Sequence, residues 1–309
     1  MRPVLLPPTP QRSRRPRILA IQVLPTVVTL GNVLAGLLAL SYVIDAWGEP
    51  MDSVRREDLW AKAAWAIFIG MICDVLDGRI ARMAGVASAF GAELDSLADM
   101  ITFGIAPALL SKSVLQDTFP WLSPRVATAL AALYAVGAAL RLARYNVESL
   151  RIAVPGHVTR VFRGIPSPGA AGVIASLILF RHRYGFDWVG WGLLVGAPVL
   201  GILMISRFAY AHLANRYLKG ARSPFALLVL ILLVFLIVEL PEASLATIFV
   251  AYALSGPSLF LTRVTIGRPR WAVEEDDDED EDEVLPAVAI QDGSDDVDDA
   301  DDSDGARVP

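Results

Sequence analysis

Residues 74–99 read DVLDGRIARMAGVASAFGAELDSLAD, and they place four aspartates, Asp74, Asp77, Asp95 and Asp99, in a chain that is 54% hydrophobic. The flanking segments read as lipid-embedded helix, where a carboxylate costs about 3 kcal/mol at bilayer depth. Asp74 and Asp77 are three residues apart and Asp95 and Asp99 four, so each pair shares one face of its helix. The turn region between them, MAGVASAFGA, is short enough to make the two helices antiparallel neighbours. Facing pairs then form a pocket of four negative charges, which repel unless something neutralises them. Hard divalent cations do so: an all-oxygen site that offers no histidine or thiolate suits magnesium, manganese or calcium.

The residues between the aspartates suit a phosphate-bearing substrate. Gly78 removes a side chain beside Asp77, so a ligand can approach closely. Arg82, one turn on, can form paired hydrogen bonds to phosphate oxygens. Ala81 and Gly91 permit close helix–helix packing, as small residues do in membranes. Two cations and an arginine together stabilise charge that develops on a transferred phosphoryl group. A plainer reading pairs the aspartates with Arg79 and Arg82 at the membrane surface, but four acids against two arginines leave two charges over.

Further out, the 309 residues fall into three regions. A proline-rich basic arm, 1–17, carries no acid. Apolar runs separated by short arginine-bearing loops follow, to about residue 262. The remainder is acidic, with ten acids in Glu274–Glu283 and eight from Asp292 to Asp304, against the single base Arg307. Of 33 acids and 27 bases overall, residues 1–273 therefore keep 15 and 26, a net +11 beneath a formal total of −6. That suits inner loops facing anionic headgroups. The tail cannot bury enough apolar surface to fold and is expected to be a disordered, solubilising segment. Cys73 is the only cysteine, which excludes an intrachain disulfide and a cysteine metal knuckle. No small-residue cleavage site follows the basic arm, so the first apolar run is expected to stay as a membrane helix.

At roughly 20 apolar residues per span, eight spans are expected, near 20–46, 59–82, 92–115, 125–147, 167–182, 188–206, 224–240 and 243–262. Arginine and lysine concentrate in one set of connecting segments, those holding the basic arm, Arg79, Arg82, Arg141, Arg144, Arg151, Arg160 and Arg163. The richer side is the cytoplasmic one, which puts the aspartates and both termini on the cytoplasmic side of the cell membrane. Segment 207–222 alternates aromatic and basic residues and is expected to lie in the interface. Trp47, Trp60, Trp121, Trp188 and Trp191 read as interfacial anchors, and Lys62 and Lys112 as snorkelling side chains. His157 and His212 receive no chemistry.

The pattern D-x2-D-G-x2-A-R-x8-G-x3-D-x3-D, filled by Asp74, Asp77, Gly78, Ala81, Arg82, Gly91, Asp95 and Asp99, resembles the signature of the CDP-alcohol phosphotransferases at every position. The resemblance implies an all-α polytopic membrane fold with a six-helix core over about 18–210. To this the sequence adds an interfacial segment and hairpin over 211–262 and the acidic tail, 263–309. It implies a homodimer, and a site for two divalent cations, Mg2+ or Mn2+, at which a hydroxyl displaces CMP from a CDP-linked lipid. It also implies that Asp74, Asp77 and Asp95 bind metal and that Asp99 both contacts metal and acts as general base. Gly78, Ala81 and Arg82 would line the CMP-bearing part of the substrate, with Gly91 beside them.

Three further stretches, ELDSLADMITFGIAPALL, RLARYN at 141–146 and RGIPSPGAAG at 163–172, resemble the membrane-integral phosphatidylserine synthase branch of that family. The implied substrates are CDP-diacylglycerol and L-serine, with membrane lipid around them and no nucleic acid. A zwitterionic acceptor needs donors for its carboxylate. Arg141 and Arg144 lie three apart on one helix face, and Asn146 both donates and accepts. Ser167-Pro168 reads as a helix N-cap followed by proline at the first helical position, with backbone N–H groups free to meet an anion. The plainer readings are that the arginines anchor topology and that Ser-Pro simply starts a helix. Asn32, inside the first span with Thr29, either hydrogen-bonds the nucleotide lipid or bonds a neighbouring helix. Rival readings keep the chemistry but take inositol phosphate, glycerol phosphate or another amino alcohol, or make the aspartates a cation relay in a transporter. A relay would spread its carboxylates across the membrane depth, whereas these cluster at one end.

Overall fold

A computed structural model of the chain describes residues 15–51, 53–84, 89–152, 164–206, 208, 210, 235–236 and 238–265. Among them there is no strand. Helix α1 spans Arg15–Gly48, α2 Val54–Ala84 and α3 Ala89–Asp99. A π-helical segment, Met100–Ile105, joins α3 without a break to α4, Ala106–Thr118. Helix α5 follows at Pro124–Ile152, α6 at Ser167–Tyr184, α7 at Trp188–Ile205 and α8 at Pro241–Thr265.

Five helical stretches are long and apolar enough to cross a membrane: Thr26–Gly48, Val54–Ile80, Phe90–Thr118, Pro124–Glu148 and Trp188–Ile205. The chain is an all-α polytopic membrane protein. Two of the other expected spans coincide with α6 and α8. Most of the expected span 224–240 lies outside the described residues, as do the N-terminal arm to residue 14, the tail from 266, His157, His212 and most of the expected interfacial segment.

Sidedness in these helices inverts that of a water-soluble bundle. In α1 the alanines at 35, 39 and 46 are buried beside Val43, while Leu34, Leu37, Leu38 and Ile44 point outward. Water no longer drives large side chains inward, so small ones take the contacts and let backbones approach. The closest approach to backbone joins α5 to α7, where a methyl group built on Gly137 would lie 2.4 Å from the carbonyl oxygen of Gly201. Backbone cannot yield as a side-chain tip can. Gly137→Ala is therefore expected to force α5 and α7 apart and cost about 1–3 kcal/mol, read as a lower melting temperature in detergent. An unchanged melting temperature would refute the contact.

Helix α6 is buried along nearly its whole length, from Ser167 through Ile178 and Leu179. Helix α8 packs on it by filling two notches: Phe249 lies 2.2 Å from where a Gly172 methyl would stand, and Tyr252 3.0 Å from one on Gly169.

At the end of the bundle away from the aspartates, charge is buried in pairs. Arg56 Nη1 donates to Asp117 Oδ1 at 2.7 Å and Arg56 Nε to the carbonyl of Ala46 at 3.0 Å. Arg181 reaches Glu57 at 3.3 Å and the second oxygen of Asp117 at 3.9 Å. The carboxylate of Asp117 is 1% exposed, so it depends on both arginines. These contacts tie the ends of α1, α2, α4 and α6 together. The same corner corrects one sequence expectation: Trp60 is no interfacial anchor but is 2% exposed, with its indole N–H donating to Ser113 Oγ at 2.9 Å. Trp47, Trp121, Trp188 and Trp191 are exposed, as anchors are, and Lys112 lies over the Trp47 ring.

Candidate active site

The four aspartates come from the C-terminal part of α2 and from α3. One oxygen each from Asp74, Asp95 and Asp99 lies within 4.8 Å of the others. Asp77 is outside that trio, buried one turn beyond Asp74 at 5% exposure, and the Thr29 side chain and the Gly78 amide hydrogen-bond to it. Two like charges at such a separation repel by about 3–4 kcal/mol even at an effective dielectric of 20. Among the described residues, Asp77 Oδ2, Asp95 Oδ1 and Asn32 Oδ1 are buried without a hydrogen-bond partner. Buried carboxylate oxygens left bare in this way call for a cation. The donor set is oxygen throughout, as hard divalent ions require.

Asn32 is fully buried on α1 and donates from Nδ2 to Asp99 Oδ1 at 3.1 Å. Thr102 fixes this segment of α1, its hydroxyl donating to the backbone carbonyl of Asn32 at 2.9 Å. Room for Thr102 between α1 and α2 comes from two glycines, since methyl groups on Gly36 or Gly70 would stand 2.4 and 2.5 Å from its side chain. Asn32 thus bonds a neighbouring helix, and through that bond it holds an aspartate of the cluster.

The π-helical segment begins directly after Asp99, and Pro107 accounts for it. Proline has no N–H for the carbonyl of residue i−4 and its ring crowds that carbonyl, which here belongs to Phe103. The turn widens, the Ala106 amide reaches back to the carbonyl of Ile101, and the Tyr134 hydroxyl on α5 donates to Phe103 at 2.9 Å. Tyr134 is fully buried, and each group satisfies the other. Such insertions recur at functional sites; this one sets the direction in which α3 carries Asp95 and Asp99.

Helix α5 runs antiparallel to α3. Ser96 Oγ donates to Asn146 Oδ1 at 3.1 Å, and a methyl on Gly104 would sit 3.4 Å from Ala138. Between those two links, Arg141 and Arg144 fall level with Asp99 along the bundle. Arg141 Nη1 donates to the carbonyl of Gly164 at 3.2 Å and Arg144 Nη1 to that of Ile205 at 3.1 Å. Both arginines therefore brace the entry to α6 and the end of α7, whatever else they bind. Gly164, with φ 87°, turns the chain so that its amide meets Phe208 O at 2.8 Å and the next amide, of Ile165, meets Leu203 O at 3.3 Å.

Ser167 needs a correction. The N-cap is Pro166, in extended geometry at ψ 144°, and its carbonyl accepts the first helical bond from Ala170 at 3.0 Å. Ser167 is the first helical residue and Pro168 the second. The turn at Gly164 and the stiff proline at 166 start the helix one residue before the Ser-Pro signal would.

Gly78 is exposed, and a methyl there would meet nothing within 4 Å among the described residues. Its lack of a side chain therefore opens surface, and no helix among the described residues packs against it. Gly91 lies on α3, which begins at Ala89, earlier than the expected turn allowed. Ala81 and Arg82 are helical in α2, and their side chains lie outside those described.

A family model for CDP-alcohol phosphatidyltransferases matches residues 22–204, more than half of the chain and all four aspartates. The chain belongs to that family. It is 33% identical over 198 residues to the CDP-diacylglycerol–serine O-phosphatidyltransferase of Mycobacterium tuberculosis strain H37Rv, covering 63% of each chain. The proteins of that name from Helicobacter pylori strain J99 and Bacillus subtilis strain 168 are 31% and 30% identical, over 61% and 65% of this chain and 71% and 96% of theirs. Against the Mycobacterium leprae relative the match spans 60% of that protein's length, so the chain covers about three fifths of its mycobacterial relatives.

Sequence spacing did not single out Ser96, Thr102 or Tyr134. Thr102 and Tyr134 had one available signal: each is a hydroxyl in an apolar run, which must find a partner there.

Proposed function

We propose that the protein transfers the phosphatidyl group of CDP-diacylglycerol to the hydroxyl of L-serine, giving phosphatidylserine and CMP. The observation that carries this reading is the trio of carboxylate oxygens within 4.8 Å, level with Arg141 and Arg144 and set in the family signature. The relatives' name supports serine as the acceptor.

Asp74, Asp77, Asp95 and Asp99 would hold two divalent cations, magnesium or manganese, which when bound neutralise the pyrophosphate and the departing CMP. Asn32 occupies Asp99 Oδ1, which leaves Oδ2 to take the proton of the attacking hydroxyl. Gly78 gives the CDP group an open approach to the carboxylates, and Ala81, Arg82 and Gly91 line its path with Asn32. Arg141, Arg144, Asn146 and Ser167 surround the acceptor, the arginines facing its carboxylate.

The working protein is a homodimer in the cell membrane, with the site and both termini cytoplasmic. Residues 18–210 form the catalytic core, to which 211–262 and 263–309 are appended. Membranes carrying the protein, offered radiolabelled serine, should form labelled lipid only with both CDP-diacylglycerol and a divalent cation. Labelled lipid from inositol phosphate or glycerol phosphate, and none from serine, would overturn the acceptor. Product from none of these would overturn the reaction.

A further inference from the structure

The family match ends at residue 204, yet α8, well beyond it, returns to the level of the site. Tyr252 of α8 packs its ring edge 3.0 Å from the position of a Gly169 methyl, in the first turn of α6 beside Ser167. Tyr210 holds that ring from the other direction. The two ring centroids are 5.5 Å apart, and the Tyr210 hydroxyl donates to the carbonyl of Ala253 at 3.2 Å. Tyr210 in turn fills the space above Gly256. The Arg141 guanidinium bonds the carbonyl of Gly164 at the entry to α6, five residues before the Gly169 notch that the Tyr252 ring fills. A half-buried hydroxyl is thus held by packing on two sides, beside an arginine level with Asp99.

We propose that Tyr252 is a specificity residue for the acceptor, its hydroxyl donating a hydrogen bond to the acceptor's carboxylate alongside Arg141. This deepens the proposed serine reaction and rests on it. A guanidinium alone draws any anion. A guanidinium and a fixed neutral donor side by side fit the two oxygens of one planar carboxylate, and discriminate against an acceptor that lacks it.

The test is Tyr252→Phe in the full-length protein in membranes, with steady-state kinetics in serine at saturating CDP-diacylglycerol. The ring stays in its Gly169 notch, so the fold and the CDP-lipid KM should not change. The serine KM should rise roughly tenfold or more, as loss of a hydrogen bond to a charged group predicts, with kcat moving much less. Gly169→Ala, which displaces the ring without removing the hydroxyl, should raise the serine KM as well. A double variant of Tyr252→Phe with Arg141→Lys should raise it by less than the product of the single effects, because the two side chains share one ligand. A serine KM unchanged in Tyr252→Phe overturns the proposal and leaves the serine reaction standing. Failure of the unaltered protein to use serine at all overturns that reaction, and the proposal with it.

Discussion

An Asp99→Asn variant is expected to keep its fold and its hold on the CDP-lipid while turnover falls by about a thousandfold or more, the upper part of what a positioned base contributes. The geometry makes this substitution unusually clean. Asn32 Nδ2 donates to Asp99 Oδ1, and an asparagine at 99 can present its carbonyl oxygen to the same donor. The amide nitrogen then takes the place of Oδ2, where it can neither accept the proton of the attacking hydroxyl nor carry negative charge. CDP-lipid binding, followed by equilibrium dialysis of a labelled nucleotide lipid in detergent, should change by less than the turnover does. Near-normal turnover would remove Asp99 from the base role.

The second large effect concerns stability in the absence of cations. Three carboxylate oxygens within 4.8 Å, with Asp77 beside them, are repulsive until neutralised. Asp95→Asn should therefore raise the apparent melting temperature of cation-free protein by several degrees, even as it abolishes activity. A gain of about 1–3 kcal/mol corresponds to roughly that shift for a chain of this size. Added magnesium or manganese reverses the order: the unaltered protein should gain about 3 kcal/mol at a hundredfold excess over its dissociation constant, and the variant far less. If Asp95→Asn proved less stable without cations and responded to them normally, the trio would be a hydrogen-bonded structural cluster and no metal site.

The carboxylates were legible because their placement is a local matter. Spacings of three and four residues fix a helix face whatever the helix packs against, and the apolar flanks fix the helix. The partners of those carboxylates were less so. The bond from Asn32 to Asp99 joins residues 67 apart in sequence, and it depends on Thr102 entering a gap made by Gly36 and Gly70, each in a different helix. The π-helical turn depends on Pro107 meeting Tyr134, which a local reading sees only as a proline near a helix start and a tyrosine in a span. Ser167 shows a local rule overridden: serine before proline favours a cap, but the turn at Gly164 and its bonds to residues of α7 and beyond settle where α6 begins. Trp60 failed as an anchor for a related reason. Its depth could be guessed from the span boundary, but the side it faces depends on Ser113 in α4.

The buried pairs of Arg56, Asp117 and Arg181 have a consequence for how the bundle comes apart. One carboxylate is shared by arginines of two helices, so its removal takes from two buried cations their common counter-ion. The ends of α1, α2, α4 and α6 should then loosen together and not one at a time.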